Sequence, residues 1–279
     1  MPPWPRTRQG RTSPPRGAFP RNWWPRPRSA PGKAASPPAS PWVFAQVDPE
    51  VEVEPAVADG ARLADGQVLV HLSGSARSLI TGERTALNFL QRMCGIATLT
   101  DRYVQAVAGT RARILDTRKT APGLRALDKY AVTAGGGHNH RLDLAAMVLL
   151  KENHIAAAGG VTAAIEAVRR GMARTGQTVE SDVEVQTVTQ AAEALDAGAR
   201  WIMLDNMPVA DIEQVVKFRA GRADASRILL EASGTIRLDT VLAIAGTGVD
   251  LISVGALTHS APALDLTMLL TTGPVPCPR

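Results

Sequence analysis

Cysteine is nearly missing from this chain of 279 residues, where only Cys94 and Cys277 occur. No disulfide framework and no zinc-ligand spacing can be built from them, which fits a reducing compartment. Long apolar runs are missing too: none approaches the roughly 18 residues that a membrane helix needs. The N-terminus lacks the uninterrupted apolar core of a secretory signal. The expectation is a soluble, cytoplasmic protein with no membrane partner.

Two further absences divide the chain. Residues 1–47 hold seven Arg and one Lys but no Asp or Glu, so the rest of the chain carries 5 minus 8, or −3. A basic surface is therefore not a property of the folded body, and no nucleic-acid partner is expected. Residues 1–42 also contain no Leu, Ile or Val, while holding twelve prolines and four of the five tryptophans. Such a segment cannot pack a core, and it is expected to be disordered. A solvated tail, a product of an aberrant start or reading frame, and a transit or nucleic-acid-binding segment all remain open readings of it. Twelve prolines oppose an amphipathic targeting helix.

From Val43 the pattern changes. VEVEPAV (51–57) and QVLVHL (67–72) alternate or run apolar between Asp-Gly and Ser-Gly punctuation, as short strands of a small sheet domain do. Glu83 to Ala108 has apolar residues near helical spacing, with Gly109 as its expected stop. Arg84 near its start reads by default as a solvated charge. Residues 43–109 therefore form a small N-terminal sheet domain with a long helix.

Beyond Ile114 strands and helices alternate. Strands are expected near 114–116, 147–151, 182–186, 201–205, 228–231 and 251–254, with helices near 123–134, 160–174, 188–197, 208–220, 236–246 and 261–270. Right-handed crossovers would curl these βα units into a barrel over residues 110–260, followed by a C-terminal helix and tail over 261–279. The 166 residues from Ile114 onward are fewer than the roughly 250 of an eight-fold barrel. The fold class is thus α/β, an incomplete (β/α) barrel of six to seven strands.

The charges give this fold a function. Asp116 and Arg118, Lys151, Glu184, Asp205 and Glu231 fall at or near the carboxyl ends of different strands, which in a barrel ring one opening. So many cations there imply an anionic substrate. Between two of these strands a Gly-Gly-Gly run precedes His138, Asn139, His140 and Arg141, where backbone and side chains could approach a ligand closely. Glu184 and Asp205 suit Mg²⁺, which prefers one or two protein carboxylates with substrate phosphate and water. The turns Ser233-Gly234-Thr235 and Val254-Gly255-Ala256 precede helices and suit a phosphate.

The segments ERTALNFLQRMCGIAT (83–98), ILDTRKTAPGLRALDKYAVTAGGGHNHRL (114–142), KENHI, VEV, LDNM, LEASG and SVGALTHSAPALD resemble the nicotinate-nucleotide pyrophosphorylase (carboxylating), or quinolinate phosphoribosyltransferase, family. The resemblance runs from about Val43 to Met268. It implies phosphoribosyl transfer from phosphoribosyl pyrophosphate to quinolinate with decarboxylation, giving nicotinate mononucleotide, pyrophosphate and CO₂ in NAD biosynthesis. It implies that Arg84, Arg118, His140, Arg141 and Lys151 grip quinolinate, with Arg84 supplied by the partner of a homodimer. Lys119, Lys151, Glu184 and Asp205 would handle the phosphoribosyl side with Mg²⁺, and the two small-residue turns would hold the 5′-phosphate. Departures from the family pattern are Glu152, Gln186, Asp143 and Thr235, together with Pro-rich sequence where the family has N-terminal helices and a strand. A same-fold relative with another substrate, and a non-enzymatic fragment, remain as alternatives.

Overall fold

A computed structural model describes residues 22–27, 32–33 and 39–271. In chain order the elements are β1 (Asn22–Pro27), β2 (Gly32–Lys33), α1 (Ala39–Val47), β3 (Glu52–Pro55), β4 (Arg62–Leu63), β5 (Val70–Ser73) and α2 (Ala76–Ala106). There follow β6 (Arg113–Leu115), α3 (Arg125–Ala134), β7 (Val148–Leu150), α4 (Glu152–Ala158), α5 (Val161–Thr175), β8 (Ser181–Val185) and α6 (Val188–Asp196). The last are β9 (Trp201–Asp205), α7 (Val209–Ala220), β10 (Leu229–Ser233), α8 (Val241–Gly246), β11 (Leu251–Ser253), α9 (Ala256–His259) and β12 (Leu266–Thr271).

Six parallel strands in the order β6-β11-β10-β9-β8-β7 make the larger sheet, as the incomplete barrel requires. The seventh position, between β6 and β7, is only half filled. There the segment after α3 makes a single parallel bridge, with His138 N–H donating to Ile114 O (2.9 Å) and Asp116 N–H to His138 O (3.1 Å). Outward-facing Val183, Val185, Ile202, Leu204, Leu230, Ala232 and Ile252 are all buried under the helices. The inward faces are a different matter, because they carry the polar groups of the site.

Helix α2 joins the two halves. It starts at Ala76, seven residues before the sequence pattern indicates, because Ser75 caps it by accepting from Ser78 N–H (3.2 Å). Its length, about 46 Å at 1.5 Å per residue, lets it enter two cores. Leu79, Ala86, Leu87, Leu90 and Cys94 pack with the small sheet, whereas Met93, Ile96, Ala97, Tyr103 and Val107 pack with the barrel. Among the described residues, no helix is long and apolar enough to cross a membrane.

Two expectations fail in the small sheet. Residues 261–270 were expected to be helical, but Leu266–Thr271 is strand β12. The alternation of buried Leu264, Leu266 and Met268 with more exposed neighbours is a period of two, which the near-continuous apolar run LTMLL disguises. Nor is the whole of residues 1–42 without structure. Asn22–Pro27 is strand β1, antiparallel to β12 along its length and to β5 at Asn22 and Trp23, in a four-stranded sheet ordered β12-β1-β5-β3. Pro25 and Pro27 lie beyond the stretch paired to β5, where a missing N–H is tolerated. Helix α1 likewise begins at Ala39, inside that segment. Residues 1–21 and the tail from 272 lie outside the described residues.

The glycine run also has another task than ligand approach. A Cβ on Gly135 would sit 2.5 Å from Ala97 O and 2.6 Å from Thr100 Cβ, and one on Gly137 2.7 Å from Thr100 Cγ2. These glycines let the chain cross directly over α2, and Gly136 makes the turn at φ 86°. On α2 itself, a Cβ on Gly95 would collide with the carbonyl of Pro262. Gly95→Ala should therefore destabilise the fold by about 1–3 kcal/mol through overpacking. A fall in the urea midpoint at unchanged slope would show it, and an unchanged midpoint would mean that the 262–264 segment yields freely.

Candidate active site

Strand register decides which side chains meet. Lys151 follows β7 and stands level with Glu184, because Leu150 pairs with Val183. Glu184 pairs with Met203 and Ser233 with Asp205, so Glu184, Asp205 and Ser233 share the inward face near the carboxyl ends. There they line a cavity of about 790 Å³. Thr117, Arg118, Lys119, His140, Arg141, Lys151, Glu184, Asp205, Ser233, Gly234, Thr235, Gly255 and Ala256 all line it, as do Asn206, Arg237 and His259, which sequence reasoning did not single out. Five Lys or Arg side chains face two carboxylates, so the cavity is built for anions.

The cationic residues are held from behind. Lys119 O accepts from Thr258 Oγ1 (2.8 Å), and Ala121 N–H donates to Asp128 (3.0 Å). Asp128, fully buried, is gripped through both oxygens by Arg92 (2.8 and 2.7 Å). Arg118 Nε is buried with no acceptor among the described residues, as expected of a guanidinium that awaits a ligand. Arg141 donates through Nη1 to Met147 O (2.9 Å), and burial, then the charge of Arg118, lowers its pKa. Lys151 N–H donates to His154 Nδ1 (3.0 Å), fixing its backbone, while its ammonium pairs with Glu184.

Several expected roles change. Asp116 and Glu231, expected at the opening, are fully buried beneath it. Val254 is buried, and its N–H donates to Leu115 O (2.9 Å), so it has no amide to offer a phosphate. Thr235 N–H donates to Asn206 Oδ1 (3.0 Å) instead of facing the cavity. Asn206 holds this turn from φ 53°, alone among the described non-glycine residues in the left-handed region. Gly234, at φ 118°, leaves no room there for a Cβ beside Asn206 Oδ1. Arg84 is exposed on α2 and does not line this cavity.

Under the cavity lies a buried trio that sequence reasoning missed as a unit. His140 Nε2 is 3.7 Å from Asp182 and 3.5 Å from Glu231. Glu231 also accepts from Trp201 Nε1 (2.7 Å) and from the Ser253 hydroxyl, whereas neither Asp182 oxygen has a hydrogen-bond donor among the described residues. Burial opposes charging His140, but the adjacent carboxylates of Asp182 and Glu231 outweigh it and push the ring up to about 9. Burial and then the charge of Glu231 push Asp182 up to about 7, against the pull of His140. Arg141 N–H points at Nδ1 (2.8 Å), which opposes a second ring proton there, so the extra proton belongs to the trio rather than to one member. The three side chains lie within 4.8 Å, as metal ligands could. Nδ1 accepts from Arg141 N–H and both Glu231 oxygens accept from donors, which leaves Nε2 and the two Asp182 oxygens as the atoms of the trio without a hydrogen-bond partner among the described residues.

Comparison with known proteins places the chain in a family. The family model described as quinolinate phosphoribosyl transferase, C-terminal domain, matches residues 96–269, and its N-terminal counterpart matches residues 34–94. This chain belongs to the quinolinate phosphoribosyltransferase family. The N-terminal match begins nine residues before Val43. Nicotinate-nucleotide pyrophosphorylase [carboxylating] of Mycobacterium leprae is 49% identical over 210 residues, covering 75% of this chain and 72% of that one. Quinolinate phosphoribosyltransferase [decarboxylating] 1 of Nicotiana glauca is 44% identical over 240 residues, 82% of this chain and 68% of its own. The crystal structure of NadC from Streptococcus pyogenes superposes with a TM-score of 0.81 at 40% identity, over 89% of this chain and 85% of that one.

Both raised values in the trio have one sign: the folded protein holds protons that the unfolded chain has released. His140 contributes stability that is full below 6.5 and is lost as pH rises through about 9. Asp182 adds a loss that begins above 3.8 and is complete above about 7. Stability should fall between pH 5 and 9 on the order-of-magnitude scale set by these shifts. Asp182→Asn should flatten the fall between pH 5 and 7, as followed by thermal melting. An unaltered pH profile in this variant would mean that the trio does not hold the proton.

Proposed function

We propose that the protein transfers the phosphoribosyl group of phosphoribosyl pyrophosphate to quinolinate and decarboxylates the product, forming nicotinate mononucleotide, pyrophosphate and CO₂ in NAD biosynthesis. The observation that carries this reading is the convergence of Arg118, Lys119, Arg141 and Lys151 on one strand-end cavity in a chain of this family. Quinolinate is a dianion, and paired guanidinium groups both select it and aim its ring nitrogen. The nitrogen attacks the sugar carbon as the bond to pyrophosphate breaks. The ring nitrogen is then cationic, so the adjacent carboxylate can leave as CO₂, and the electron pair left on the ring carbon takes up a proton. No covalent nucleophile is needed.

On the phosphoribosyl side Lys119 and Lys151 would neutralise pyrophosphate as it departs. Glu184 and Asp205 fit Mg²⁺ brought by that substrate: they are inward-facing carboxylates on adjacent strands, and both line the cavity. Glu184 pairs with Lys151, and Asp205 accepts from Asn206 Nδ2 (3.1 Å). The metal when bound supplies charge neutralisation to the leaving group. Glu184→Gln and Asp205→Asn should weaken binding of phosphoribosyl pyrophosphate in magnesium and leave quinolinate binding unchanged, as read by calorimetry. Wild-type magnesium dependence in both variants would make these carboxylates structural.

Arg118→Ala and Arg141→Ala should each cost about 1.5–3 kcal/mol of quinolinate affinity by removing a charge-assisted contact. Unchanged affinity in both would sink the substrate assignment, and so would a wild-type protein that does not release CO₂ from carboxyl-labelled quinolinate. A homodimer with shared sites is the proposed assembly, with the partner's copy of the exposed Arg84 completing each cavity. It is supported by the apolar groove lined by Trp42, Val43, Val47, Phe89 and Leu127, whose α2 members Thr85 and Phe89 follow Arg84 in sequence. Mixing Arg84→Ala with Lys151→Ala subunits should then restore part of the activity, and exchange without recovery would refute sharing. The absence of a disulfide framework supports a cytoplasmic setting.

A further inference from the structure

At the phosphate end of the cavity the amides of Gly234, Gly255 and Ala256 have no acceptor among the described residues, but others are committed. Thr235 N–H is committed to Asn206 Oδ1 (3.0 Å), Ile236 N–H to Gly234 O (3.0 Å) and Val254 N–H to Leu115 O (2.9 Å). A phosphate monoester seated against the turn after β10 meets one uncommitted amide there, that of Gly234, so a charged group beside it adds the stronger contact. Arg237 lines the cavity four residues after Ser233. Its backbone is fixed: its N–H donates to Thr240 Oγ1 (3.1 Å), and its carbonyl accepts from Val241 N–H (2.9 Å) at the start of α8. Its guanidinium is not, because it pairs only with Asp239 (3.0 and 3.4 Å), and both side chains are more than half exposed. An ion pair so exposed is worth little and can be given up for a dianion.

We propose that Arg237 is a phosphate-binding residue of the active site: its guanidinium leaves Asp239 to clamp the 5′-phosphate of the phosphoribosyl substrate against the Ser233-Gly234 turn. The proposal rests on the functional reading above for the identity of the substrate, but not for the chemistry of the anion. Lys151, Glu184 and Asp205, at the ends of β7, β8 and β9, mark the pyrophosphate end, whereas Arg237 follows β10; Lys119 approaches the Gly255 turn and does not separate the two. Asp239 acts as a competitor that holds the guanidinium when no phosphate is present.

Arg237→Ala should raise KM for phosphoribosyl pyrophosphate about tenfold to a hundredfold, the equivalent of one lost charge-assisted contact. Turnover at saturation should stay within about twofold, and quinolinate affinity should not change, since uniform binding is what is removed. Arg237→Lys should recover part of the loss, and Asp239→Asn should tighten binding. Calorimetry on the full chain with ribose 5-phosphate, inorganic phosphate and pyrophosphate separates the two ends. Arg237→Ala should weaken the first two and spare the third. Loss confined to pyrophosphate, or unchanged affinity for all three, would overturn the assignment. These titrations need no turnover, so a wild-type protein inactive on quinolinate would defeat the functional reading while the role of Arg237 is still decided.

Discussion

The buried ion pair of Asp116 with Lys129 closes the barrel where a strand is missing. Asp116 leaves the end of β6, accepts from Lys129 of α3, and accepts again from His140 N–H (2.9 Å), while Lys129 also donates to His140 O (2.9 Å). One carboxylate and one ammonium thus hold both faces of the peptide that carries His140 and Arg141 across the gap between β6 and β7. Burial raises the pKa of Asp116 and lowers that of Lys129, opposing effects that their mutual attraction resists. Removing either partner would strand a charge in the interior, at a cost of about 3–5 kcal/mol. The position of two cavity residues therefore depends on a contact that touches no substrate.

That arrangement explains an electrostatic oddity. A cavity lined by five cationic side chains sits on a floor that contains Asp182 and Glu231. The acidic floor is offset from within, since the His140 ring lies against both carboxylates and Glu231 is satisfied by Trp201 and Ser253. What reaches the cavity is the ordered edge of His140 and, through its bond to Nδ1, the backbone of Arg141.

Much of this was legible in the sequence, for a physical reason. Parallel strands buried on their outer face and polar at their ends declare both the barrel and the cavity, so Arg118, Lys119, Arg141, Lys151, Glu184 and Asp205 were found without coordinates. What was hidden depends on partners distant in sequence. Asp182 looks like any alternating residue of a strand until Trp201, Glu231 and His140 surround it. Val254 and Thr235 look like phosphate donors until the acceptors of their amides are known. Residues 22–27 have no strand composition of their own and owe their shape to β12, which itself read as helix because Leu264, Leu266 and Met268 lie among other apolar residues.

The pairing of β1 with β12 sets a schedule for the molecule. Asn22 lies opposite Thr271, so β1 can meet β5 early but cannot complete its pairing until β12 has been made. The small core waits as well, since Leu264, Leu266 and Met268 complete the shell around Leu72, Leu87 and Leu90. During synthesis the barrel can close before the sheet that precedes it in sequence, and that sheet stays open at one edge until β12 has emerged. The small sheet precedes the barrel in the chain and is completed after it, which leaves the apolar face of α2 to be sheltered in the interval.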